Sequence, residues 1–163
     1  MQKKIIFRVD DRLIHGQVIE GWLKYYKIGI VIIVNDKICK DVLQEAILSS
    51  ILPEQCKLHI MNKAIFGEKF LRMELNNNTI VLFENIMDLY HCKNLLNTNI
   101  YINIGCVANR PHKIEVTDAV FLDKEELKIL SELRNDYNIY IKKLPWDTNI
   151  EIKNFYSFIE PKQ

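Results

Sequence analysis

The chain has 163 residues, 48% of them hydrophobic and 26% charged, with 22 Lys and Arg against 21 Asp and Glu for a net charge of +1. This profile predicts a single domain over 1–163, long enough to bury a core and too apolar for wholesale disorder. The near-neutral balance excludes a global pull toward nucleic acid or anionic lipid, so any anion site must be local.

In chain order, residues 4–9 (KIIFRV) form the first predicted strand, and with charge returning at Arg8 no signal peptide is expected. A helical stretch follows at 16–27, where Val18, Trp22, Tyr25 and Tyr26 share a face with Ile19 and Leu23 beside it. Residues 30–35 predict the second strand; even the apolar run 28–34 is far short of the roughly 20 residues that cross a bilayer. A helix is predicted over 41–51, started by Asp41, with Val42, Leu43, Ala46 and Ile47 turned inward. Strands at 57–61, 79–83, 100–104, 118–122 and 139–144 then alternate with helices at 63–75, 86–96 and 124–134. Asn62, Asn85 and Asp123 are the N-cap candidates of those three helices. Cys39, Cys56, Cys92 and Cys106 form no C-x-x-C pair, which argues against a zinc site and fits reduced thiols in the cytosol.

Strand–helix alternation with short links predicts a three-layer α/β/α architecture around a mainly parallel sheet of six or seven strands. In such sheets ligands gather beyond the carboxyl ends of the strands. The most unusual sequence lies at one of those ends: RVDDRLIHGQV, residues 8–18, leaves the first strand and enters the first helix. It gathers Arg8, Asp10, Asp11, Arg12 and His15 into eight residues. The ordinary reading of such a loop is a solvated turn with local ion pairs. Two features favour chemistry instead. Gly16 follows His15 at a predicted helix N-terminus, where outward N–H groups favour an anion and a missing Cβ permits close approach. Two arginines flank the histidine, and a guanidinium holds phosphate through paired donors. A neutral imidazole is a competent nucleophile, so the set describes a site that accepts a phosphoryl group onto nitrogen. One of Asp10 and Asp11 would orient the ring or an arginine, and spacing leaves open which.

RVDDRLIHGQV resembles the active-site loop of the IIB component of the bacterial sugar phosphotransferase system, mannose/fructose/sorbose class. The likeness continues through IIVNDKICKD (32–41), INIGCVANRPHKIEV (102–116) and VFLDKEELKILSELRNDYNIYIKKLP (120–145). The resemblance implies a phosphocarrier in which His15 takes the phosphoryl group on Nδ1 from a IIA protein. The group then passes to a sugar during uptake through membrane-embedded IIC and IID subunits, with no metal, cofactor or nucleic acid. It implies a cytoplasmic protein that associates with those permease subunits; the few residues before the first strand and the 19 after Leu144 lead us to expect IIA on a separate chain. Arg12, with Arg8, would stabilise phosphate charge, while Asp10, Asp11 and Gly16 shape the loop. Cys106 departs from the family's G-G pair and would narrow the space there. Two rivals remain: a nucleotide-binding α/β module, which lacks any G-x-G-x-x-G or P-loop pattern here, and a phosphohydrolase using Asp10 or Asp11.

Other residues carry weaker signals. His59 lies in a predicted strand and His91 in a helix, where core or surface roles are ordinary. Arg110, His112 and Lys113 form a small basic loop, either a solvated turn or a receiver of phosphate or an acidic surface. Cys39 and Cys106 have no paired base and read as structural. Glu84 and Asn85 end a strand on the ligand side without a visible partner. Trp146, after Pro145, is expected to pin the C-terminal segment to the domain.

Overall fold

The Ile- and Val-rich runs pair as one sheet in the computed structural model, which describes residues 3–95 and 100–150. Its six strands are β1 (Ile5–Asp10), β2 (Ile28–Val34), β3 (Lys57–Met61), β4 (Asn78–Phe83), β5 (Tyr101–Cys106) and β8 (Asn138–Ile141), with β6 (Ile114–Thr117) and β7 (Val120–Leu122) lying elsewhere. The order is β3-β2-β4-β1-β5-β8, and every pairing is parallel. The predicted strand at 118–122 is the one that does not join. Its residues pair instead with β6 in a two-stranded antiparallel hairpin set against the main sheet by a bridge between Val107 and Val120.

Strand alternation divides the core. Phe7 and Val9 of β1 face α2 (Lys63–Arg72), α3 (Ile86–His91) and α4 (Lys124–Leu133), packing with Phe66, Phe83, Leu89 and Leu130. Ile6 faces the other side, with Leu13, Ile14, Val18, Trp22, Val31 and Leu82. Arg8 and Asp10 lie two and four residues on from Ile6, so they enter that second layer as well. The four expected caps are present: Asp41, Asn62, Asn85 and Asp123 accept from the N–H of Gln44, Ile65, Asp88 and Glu126. At Asp123 the Glu126 side chain completes a capping box.

Four expectations need correction. The stretch after His15 is wound as a π-helix over Gln17–Leu23, which turns Val18, Gly21, Trp22 and Leu23 inward and leaves Tyr25 exposed. In α1 (Val42–Ile51) the buried residue is Leu48, not the predicted Val42, Leu43, Ala46 and Ile47. Ile38, in the 3-10 turn ahead of the helix, and Leu52 behind it are buried with Leu48, and these anchors turn the expected face to solvent. The helix predicted over 86–96 ends at His91 and gives way to a 3-10 turn, Lys93–Leu95; residue 96 lies outside the described residues. Trp146 is itself 59% exposed and lies beside the Tyr25 ring, while Pro145 is buried and lies with Leu144 against Gly21; the chain after residue 150 lies outside the described residues.

Candidate active site

Asp10 ends β1, and its carboxylate is fully buried. Arg8 Nη2 donates to Asp10 Oδ2 at 2.7 Å, and His15 Nε2 stands 3.0 Å from the same oxygen. The Arg12 backbone N–H donates to Oδ1 at 3.2 Å, and Arg12 Nε lies 3.8 Å from it. A carboxylate can only accept, so the ring hydrogen sits on Nε2 and the neutral imidazole keeps its lone pair on Nδ1. Of the two candidate orienters, Asp10 therefore holds the ring. Burial opposes ionisation of Asp10, but the hydrogen bond from His15 and the charge of Arg8 outweigh it and hold the carboxyl below its ordinary value.

Asp11 does a different job. Its Oδ2 accepts from the Ala108 N–H at 2.8 Å, and its own N–H donates to the Cys106 carbonyl at 3.1 Å, tying the loop after β1 to the end of β5. The Leu13 N–H closes a turn onto the Asp10 carbonyl at 2.9 Å, with Leu13 held at a φ of 54°. Leu13 and Ile14 are both buried in the core. Anchored by them, His15 emerges with 14% of its side chain exposed. Gly16 is helical, and a Cβ there would meet nothing within 4 Å, so the space expected above it is open. Arg12 is 48% exposed and donates to Gln17 Oε1 at 3.0 Å.

Arg8 is not where a phosphate could reach it. Its side chain is fully buried, donates to the Asn103 side chain and to the carbonyls of Lys142 and Lys143, and lies over the Trp22 ring at 4.7 Å. Gly105 makes the space. Against β1 the register slips there, with Val9 opposite Ile104 and Asp10 opposite Cys106, and a Cβ on Gly105 would overlap the guanidinium. Such bulges gather beside active sites, where they re-aim neighbouring groups. The expected phosphate-stabilising role of Arg8 is thus replaced by a structural one: it braces Asp10 from beneath.

Asn103, Gly105, Gln17 and the strand-end carbonyls of Lys142 and Lys143 were not singled out from sequence. Only the isolated polar Asn103 amid Ile102 and Ile104 hinted at an inward contact. Asp10, Asp11 and Cys106 bring ligand-type atoms within 4.8 Å of one another. Arg8 and Arg12 already occupy the Asp10 oxygens, so the charge facing that cluster suits an anion better than a cation. The same burial leaves Asp10 badly placed as a nucleophile. At Cys106, burial and then the Asp10 charge push the thiol up, which keeps it protonated near neutral pH.

A shallow cleft of about 330 Å³ opens beside the loop, lined in part by Asp11, Arg12, Gln17, Cys106 and Lys143. The basic loop contributes less than expected, because Lys113 is bound to both carboxylate oxygens of Glu126 at 2.8 and 2.9 Å. Arg110 and His112 are exposed on a turn closed by the Lys113 N–H. His91 is exposed on α3 and His59 half-buried in β3. Glu84 does have a partner, the Asn35 amide at 2.7 Å, and Asn85 caps α3.

Comparison with known proteins bears on the family and the fold. A family model described as the PTS system sorbose subfamily IIB component matches residues 4–163. The mannose-specific EIIAB component of Escherichia coli K12 is 26% identical over 162 residues, 94% of this chain, which spans about half of that relative (48%). The sorbose-specific EIIB component of Klebsiella pneumoniae is 31% identical over 127 residues, 77% of each chain. The crystal structure of the IIBSor domain of the K. pneumoniae sorbose permease superposes with a TM-score of 0.82 at 27% identity, covering 94% of this chain and 96% of that one. No helix among the described residues is long and apolar enough to cross a membrane.

Proposed function

Because the chain belongs to the sorbose-subfamily IIB family of the sugar phosphotransferase system, we propose that it is a phosphocarrier whose acceptor atom is His15 Nδ1. It receives the phosphoryl group from a phosphohistidine on a IIA protein and passes it to a sugar moving through membrane-embedded IIC and IID subunits. The whole span 1–163 acts as one IIB unit in the cytoplasm, meeting the permease at the membrane. The observation that carries this reading is the 3.0 Å contact between His15 Nε2 and buried Asp10, which leaves Nδ1 as the free nucleophile.

In the first step the Nδ1 lone pair attacks phosphorus, the donor's N–P bond breaks, and the donor imidazole leaves with its electron pair. His15 then carries a phosphoryl group on Nδ1 and a proton on Nε2, so its ring gains positive charge that faces the Asp10 carboxylate. Arg12, exposed at the same loop, neutralises the phosphoryl oxygens. In the second step a sugar hydroxyl attacks phosphorus and releases its proton to water, the N–P bond breaks with its electron pair returning to Nδ1, and His15 is again neutral with its hydrogen on Nε2. The protein's part is positioning and charge stabilisation, which is most of what phosphoryl transfer asks.

The test is incubation with phosphorylated IIA followed by mass spectrometry of base-quenched protein. The added mass is expected on His15, labile in acid and stable in base. His15→Ala should accept none. A base-labile phosphate on Asp10 or Asp11 would replace this reading with the aspartate-based hydrolase.

A further inference from the structure

With Arg8 sealed beneath the site, Arg12 is left as the loop's own cation for a doubly charged phosphoryl group. Two other lysines at the carboxyl end of the sheet are committed elsewhere. Lys63 is bound to Asp88 at 2.6 Å and to Asp36 at 3.2 Å, and Lys113 to Glu126. Lys143 is different. Among the described residues its ion pair is with Asp118 at 3.9 Å, and Asp118 is 84% exposed, so the pair is long and screened by water. The Lys143 side chain is 39% exposed and lines the same cleft as Arg12, Gln17 and Cys106.

Its backbone is held far more firmly than its ammonium. The Lys143 carbonyl accepts from Trp22 Nε1 at 2.9 Å and from Arg8 Nη2 at 3.3 Å, and that same Arg8 nitrogen bonds Asp10. The residue is therefore fixed two hydrogen bonds from the carboxylate that orients His15, with a flexible charged stem reaching into the cleft.

We propose that Lys143 is the second cation of the phosphoryl site, its ammonium touching the phosphoryl oxygens once the group is on His15. This rests on the phosphocarrier reading and deepens it. Lys143 supplies from the last strand's exit the positive charge that Arg8 was expected to supply from the first. Lysine fits the position as a mobile point charge that can follow the group as it arrives and leaves.

The test compares wild type, Lys143→Met and Lys143→Arg, each phosphorylated with excess phosphoramidate and, in parallel, with phosphorylated IIA. Mass spectrometry places the group, and a phosphorus NMR titration reads the ionisation of the phosphoryl group on His15. Loss of a neighbouring cation should raise that titration midpoint by about half a pH unit in Lys143→Met, and Lys143→Arg should restore it. Thermal melts of the unphosphorylated variants should match wild type. An unchanged midpoint in Lys143→Met overturns the proposal even where transfer from IIA slows, because that pattern marks a docking residue. Wild-type protein that takes no phosphate on His15 from either donor overturns the phosphocarrier reading, and the proposal falls with it.

Discussion

Asp10 stands between a buried guanidinium, a half-exposed one and an imidazole, and its neighbours can be ranked by what each loses without it. Asp10→Asn keeps the shape but removes the charge that faces a phosphorylated ring and blurs the choice of ring hydrogen. Initial rates of phosphate uptake from IIA should fall on the order of a hundredfold. Arg8→Met acts on stability instead, since it removes the buried guanidinium that faces a buried carboxylate. Urea unfolding should show a loss of about 3–5 kcal/mol. The acid limit follows from the same carboxyl. Its native pKa is depressed below the ordinary 3.8, so the stabilisation is complete above that value and fades as pH falls through the lower native one. Melting temperatures should therefore drop more steeply below about pH 4 in wild type than in Asp10→Asn. His15, Arg12 and Asp10 were legible because they crowd one short loop. Asn103 was not, because it meets Arg8 across 95 positions of chain.

Individual elements carry the site in ways their own sequences only half announce. The slip at Gly105 in β5 exists to admit the Arg8 side chain, so Gly105→Ala should cost about 1–3 kcal/mol in chemical denaturation by overpacking. Arg12 and Asp11 do not touch Gly105 in any hydrogen bond, so this loss reports the buried brace. The helix after His15 was expected from its apolar spacing, but its π-winding was not. The winding lets Trp22 reach both the Arg8 face and the Lys143 carbonyl. In α1 the cap at Asp41 was predicted correctly, whereas the buried face was not. Four of its large apolar residues are exposed, and its orientation is set by anchors outside it.

Across the whole molecule the parallel sheet puts β1 at the centre, bonded to β4 on one side and β5 on the other. Both faces of these strands are covered, so amide hydrogen exchange should be slowest in β1 and β4 and much faster in α1, whose buried contact is Leu48 alone. Equal protection in α1 and β4 would contradict that gradient. The sequence by itself determined the alternation of strands and helices, the four capped helix starts and the histidine-bearing loop, since each is written in neighbouring residues through spacing, caps and local charge. Only the tertiary structure decided which aspartate holds His15, that Arg8 lies beneath the site while Lys143 lines its cleft, and that residues 120–122 leave the main sheet. Those outcomes depend on which groups from distant strand ends meet in one buried volume, and no local pattern encodes that meeting.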